Sequence, residues 1–150
     1  MVQALLSRGA GTQAEKDGAL VSAAFSGSTP VVELLLANHA NVNGARNLEG
    51  RTALMAAVML GHRKTVQTLL ENGADVNAVG WKKGETSLIL SIISSDARLV
   101  ASLLKKEANP NVKEADGCRP LELAIQWIRR MLCLTFWITA RIRTKKMIAV

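Results

Sequence analysis

A period of 34 residues runs through most of this 150-residue chain and restricts its fold more than any other feature. Leu-Leu pairs stand at Leu35/Leu36, Leu69/Leu70 and Leu103/Leu104. Each leads through a small residue to an asparagine: Ala40 to Asn43, Ala74 to Asn77 and Ala108 to Asn111. Gly50-Arg-Thr-Ala-Leu54 returns 34 residues later as Gly84-Glu-Thr-Ser-Leu88, and after 33 more as Gly117-Cys-Arg-Pro-Leu121. A degraded copy reads Lys16-Asp-Gly-Ala-Leu20, followed by Ala23-Ala24 and Gly27, and Leu5-Leu6-Ser-Arg-Gly9-Ala10 matches the close of a unit before it.

Within a unit the apolar spacing predicts a helix, a tight turn, a second helix and a loop. Leu54, Ala57 and Val58 share one face of the first helix, Gly61-His62 makes the turn, and Val66, Leu69 and Leu70 share one face of the second. Helices this short do not bury their apolar faces alone, so the period implies units stacked side by side into an elongated solenoid. Ala23, Ala24, Ala56 and Ala57 read as spacers between first helices. Thr52 and Thr86 are expected to cap first helices, each cap being worth about 0.5–2 kcal/mol. Thr29 with Pro30, and Asp96, are expected to do the same for second helices. Gly73 ends a second helix where a left-handed residue is expected. His39 and Glu107 hold that position in neighbouring units, where each would store roughly 1–2 kcal/mol of strain.

The units Gly50-Arg-Thr-Ala-Leu-Met-Ala-Ala-Val-Met-Leu-Gly-His62 and Val66-Gln-Thr-Leu-Leu-Glu-Asn-Gly-Ala-Asp-Val-Asn-Ala78 resemble the ankyrin repeat, over about residues 2–125. The resemblance implies an all-α ankyrin-repeat solenoid of helix-turn-helix units with projecting hairpin-like loops, and a concave groove that binds protein partners without chemistry. Its implied organisation is an array over residues 1–125: a partial unit at 1–15, units at 16–48, 49–82 and 83–115, and a partial unit at 116–125. Residues 126–150 form a basic, hydrophobic tail outside the repeat.

Departures from the family pattern carry their own expectations. Thr-Pro-Leu-His becomes Thr52-Ala-Leu-Met55, Thr86-Ser-Leu-Ile89 and Arg119-Pro-Leu-Glu122, so Met55 and Ile89 put apolar packing where the family histidine makes hydrogen bonds. At Arg119 the threonine cap is lost. After Ala124-Ile125 no Gly-His turn arrives, and no Leu-Leu leads to Gly-Ala. The partial units at both ends suggest a segment or variant of a longer array.

Charge and composition exclude other classes. The net charge of +7 is concentrated in residues 126–150, where Arg129, Arg130, Arg141, Arg143, Lys145 and Lys146 meet no acidic residue; residues 1–125 hold 13 basic against 12 acidic residues. Nucleic-acid binding by the array is therefore not expected, since it needs basic charge gathered on one surface. Two cysteines, Cys118 and Cys133, exclude a disulfide-dense scaffold and a four-thiolate metal site. His39 and His62 fall on non-equivalent repeat positions, and no Gly-rich phosphate cradle occurs. No catalytic, cofactor-binding or metal-binding residue is assigned. The longest nearly continuous apolar run, Met131 to Ile138, is far shorter than the roughly 20 residues a spanning helix needs. With no secretory signal at the amino end, residence in the cytoplasm or nucleus is expected.

Candidate partner contacts fall in two layers. Phe25, Met59, Ile93 and Gln126 recur just after the Ala-Ala site, with Ser26, Leu60, Ser94 and Trp127 beside them; their alternative role is packing against the next unit's loop. The loops carry Arg46, Asn47, Glu49 and Arg51, then Trp81, Lys82, Lys83 and Glu85, then Lys113, Glu114, Asp116 and Cys118. Trp81 is the foremost hot-spot candidate, its alternative being to cover the adjacent turn. The tail admits an amphipathic helix that caps the stack, with Ile128, Met131, Leu132, Thr135, Ile138 and Ile142 on one side. It also admits disorder, a destabilising end, a membrane-surface anchor for an adaptor, residues 127–150 meeting anionic lipid, or a weak nuclear-import or nucleic-acid segment.

Overall fold

The computed structural model describes residues 11–81, 84–112, 117, 119–126 and 128. Their regular structure is entirely helical. First helices are α1 (Gln13–Ser26), α3 (Ala53–Met59) and α5 (Ser87–Ile93); second helices are α2 (Thr29–Ala37), α4 (Arg63–Glu71) and α6 (Ala97–Lys105). Residues 120–126 form a further first helix, α7, and residue 128 is also helical. The chain alternates between two layers: α1, α3 and α5 pack in succession, and α2 packs on α4.

Local chemistry accounts for the helix ends. Thr12, Thr52 and Thr86 are extended residues whose hydroxyls accept from the amides of Glu15, Met55 and Ile89. At Thr12 the Glu15 carboxylate also accepts from the Thr12 amide at 2.6 Å, completing a capping box. Asp96 caps α6 by accepting from the amides of Arg98 and Leu99. Thr29 departs from expectation. Ser28 is the cap residue of α2 and makes no side-chain cap bond, while Thr29 lies inside the helix with its hydroxyl 2.9 Å from that of Thr65. Pro30 fixes the first-turn geometry whichever residue precedes it, so the Thr29 hydroxyl is left to join α2 to α4.

Left-handed residues close both helices of each unit. Gly27, Gly61 and Ser95 have φ of 71°, 72° and 56° after first helices; His39, Gly73 and Glu107 have φ of 64°, 81° and 64° after second helices. Each reversal delivers the next amide to a carbonyl five residues back, as in Ala40 N to Leu35 O, Ala74 N to Leu69 O and Ala108 N to Leu103 O, all at 3.0 Å. His39 and Glu107 adopt the left-handed conformation expected of them, and Ser95 adds a third non-glycine residue there; the stack holds all three.

The core is one continuous apolar seam. Leu20, Leu54 and Leu88 are its first-helix members and Leu35, Leu69 and Leu103 its second-helix members, all buried. Ala24, Ala53, Ala56 and Ala57 are fully covered, so first helices approach closely. Met55 and Ile89 are equally buried, which shows apolar packing at the position where the family places histidine. At α7 the Arg119 amide donates to the Glu122 carboxylate at 2.9 Å, so half of a capping box survives the loss of the threonine.

Candidate finger and first-helix interface

Asparagine ties each loop to the next unit. The Asn43 amide donates to the Gly73 carbonyl at 3.1 Å and its oxygen accepts from the Asp75 amide at 2.9 Å. One period on, Asn77 makes the same pair with the Glu107 carbonyl and the Asn109 amide, at 3.2 and 2.7 Å. In the unit before, Gly9-Ala10 matches His39-Ala40, and Gln13 follows Ala10 by three residues as Asn43 follows Ala40. There the first helix supplies the bonds: Gln13 donates to the His39 carbonyl, and buried Asp17 accepts from the Asn41 amide at 2.7 Å. The repeat pattern opens that unit at Lys16, so Gln13 falls outside it and Asp17 carries no repeat landmark. Their helical i, i+4 spacing was the available signal.

Between second and first helices the loops fold into tight fingers. In the first, the Asn47 amide donates to the Arg51 carbonyl at 2.9 Å, and the Asn47 side chain accepts from the amides of Glu49 and Arg51. Leu48 stands at its tip, 99% exposed. In the second, the Gly80 amide donates to the Glu85 carbonyl at 2.8 Å. Arg46 joins the two fingers by donating from Nη1 to the carbonyls of Gly50 and Val79, at 3.0 and 2.8 Å. The same guanidinium lies over the Trp81 ring, 5.6 Å from its centre. Beneath it Gly50, at φ 76°, meets the Trp81 backbone so closely that a Cβ there would lie 2.8 Å from the Trp81 nitrogen. Trp81 therefore covers the adjacent turn with its backbone and Cβ, yet the residue is 73% exposed.

Arg51 connects finger to helix. It pairs with Glu49 and with Glu85 of the following unit, the latter through Nε and Nη2 at 3.1 and 3.0 Å, and its Nη1 lies 3.0 Å from the Met59 sulfur. Glu85 is buried in this pairing, so its carboxylate serves the join between units and offers no free contact. Met59 is half-buried where Arg51 meets it, whereas Phe25, Leu60 and Ile93 are exposed. Of the apolar ladder read from the sequence, Phe25 and Ile93 stand free and Met59 is partly covered. Leu48 and Val79 are exposed apolar residues that the sequence reading passed over, because a lone leucine or valine in a loop has no periodicity to mark it. Gln126 is exposed at the end of α7; Lys82, Lys83, Glu114 and Trp127 lie outside the described residues.

On the opposite face, second helices join through charge. Arg63 donates from Nε to Asp96 at 2.8 Å, holding that carboxyl below the usual carboxylate range together with the α6 cap amides. Among the described residues no group of three metal-ligating side chains occurs, and no helix is long and apolar enough to cross a membrane.

The recurring cap, left-handed closure and asparagine tie fit one family, and a profile described as ankyrin repeats in three copies matches residues 1–80. The chain belongs to the ankyrin-repeat family. No curated protein matches it. The ankyrin helix-pair pattern continues beyond the matched stretch, through α5 and α6, with the same threonine cap on the first helix and left-handed closures after both. An ankyrin array is a non-catalytic scaffold of the kind that serves protein interaction.

Proposed function

We propose that the chain binds a protein partner across the fingers and the exposed ends of the first helices, with Trp81 as its central anchor. The observation that carries this reading is that Trp81 is exposed and held in place at once. Its backbone is seated on Gly50 and its ring lies under a guanidinium that is itself bonded to two carbonyls. An aromatic ring already ordered loses little conformational freedom on binding, and tryptophan dominates interface energetics. Leu48 and Val79 extend the apolar area along the fingers, and Phe25, Leu60 and Ile93 extend it along the helices. Arg51 is shared between Glu49 and Glu85, which leaves one net negative charge between the two layers and favours a protein surface over a phosphate backbone.

The test is quantitative affinity capture with the full chain, with Trp81→Ala, and with Phe25, Met59 and Ile93 changed together to serine. Helicity by circular dichroism should be retained, while the partner captured by the unaltered chain falls by about tenfold or more, the loss expected for a hot spot worth at least 1.4 kcal/mol. Equal capture by folded variants would overturn the reading.

A further inference from the structure

Burial of equivalent positions collapses at the carboxyl end of the stack. Leu70 of α4 is 9% exposed, but its counterpart Leu104 of α6 is 46% exposed. Leu54 and Leu88 are buried, whereas Leu121 is 71% exposed. The uncovered surfaces surround a trough of about 800 Å³ lined by Val100, Ala101 and Leu104 of α6, by Leu121 and Ala124 of α7, and by Ile128. Among the described residues no charged side chain lines it. It lies where the second helix of the fourth unit would pack.

We propose that residues 131–138 of this same chain fold back into the trough and take the place of that second helix. Ile128 already lines the trough, so the segment begins three residues from its edge. Its sequence, Met-Leu-Cys-Leu-Thr-Phe-Trp-Ile, holds one polar residue and no charge. Arg129 and Arg130 precede it and Arg141 and Arg143 follow, leaving charge at both ends for solvent. Eight helical residues span about 12 Å, close to the nine residues of α2, α4 and α6.

The repeat register makes the match specific. Counting 33 residues on, as from Gly84 to Gly117, places Leu132 at the position of buried Leu99 and Phe136 at that of buried Leu103. Cys133 falls at Val100 and Trp137 at Leu104. The earlier units reverse at Gly27, Gly61 and Ser95 with positive φ, but the corresponding Ile128 is helical and β-branched, so the proposed fold-back needs its reversal after Ile128. A one-residue slip in register puts Trp137 and Ile138 at the second pair of positions, which keeps the face apolar. Tethering fixes the occupant: a segment joined this closely has an effective concentration on the order of millimolar, ahead of a second copy or a foreign helix.

The test reads thiol access at the trough in the full chain with Cys118→Ser and Cys133→Ala. A single thiol at Leu104→Cys should react within about threefold of one at Leu70→Cys, because both positions are then covered, and adding Phe136→Asp should speed it about tenfold or more. Protection should persist through roughly hundredfold dilution. Fast reaction without Phe136→Asp overturns the proposal, and protection lost on dilution overturns it in favour of a second copy. Amide exchange on the unaltered chain decides the matter independently of any variant: residues 131–138 should exchange at least about tenfold more slowly than free chain, and unprotected amides would refute the cover.

Discussion

Asn43 and Asp75 belong to successive units and are joined by a 2.9 Å hydrogen bond from the Asp75 amide to the Asn43 side chain. The same asparagine holds the Gly73 carbonyl, so one side chain satisfies a donor and an acceptor that α4 and its closing turn leave outside the helix. Asn43→Ala is expected to lose about 1–3 kcal/mol of stability, since both partners then need water in place of a fixed bond. Asn77→Ala should lose less, because its partners lie in the last described helix pair, with fewer units packed beyond it. Urea unfolding followed by circular dichroism measures both, and equal losses would show that the tie has no positional dependence.

Ser87 is fully buried at the first position of α5, and its hydroxyl has no hydrogen-bond partner. Ala53 and Pro120 occupy the equivalent positions. Ser87→Ala removes the orphaned hydroxyl, and Ser87→Pro also presets the backbone at a site where proline is favoured. Each should raise stability, by about 0.5–1.5 kcal/mol. A fall in the urea midpoint for the alanine variant would show that the hydroxyl has an unrecognised acceptor.

Asp96 contributes stability with a definite pH dependence. Its folded-state affinity for protons is lowered chiefly by the hydrogen bond from Arg63, with help from the amides of Leu99 and Arg98. A depressed carboxyl stabilises the fold above its unfolded value and loses that contribution as pH falls through the folded one. Stability should therefore decline below about pH 4 more steeply in the unaltered chain than in Asp96→Asn. Paired denaturation curves at pH 6 and pH 3, taken as experimental settings on either side of about that value, check the sign; parallel declines would remove Asp96 from the account.

Much of the architecture was legible in the residues because it rests on short-range chemistry. The Thr52, Thr86 and Asp96 caps, the left-handed sites at His39, Gly73 and Glu107, and the apolar substitution at Met55 and Ile89 depend on spacings of three to five residues or on repeat phase. Thr29 differs from its local pattern for a physical reason: as a threonine before proline it fits a cap, but its hydroxyl has a partner in Thr65, 36 residues away. The partial cover of Met59 has the same origin, since Arg51 lies eight residues off and reaches it with Glu49 and Glu85 holding the guanidinium in place.

The sequence by itself determined the period, the paired helices, the phase of their apolar faces and the family they build, because backbone geometry converts spacing directly into a face. Tertiary structure alone decided that Gln13 and Asp17 bond the closing turn of α2, that Arg46 clamps two fingers, and that Trp81 is fixed yet open to solvent. Those outcomes depend on which side chains meet across neighbouring units. Contacts between units are set by the stacking of whole helices, a quantity that no local pattern encodes.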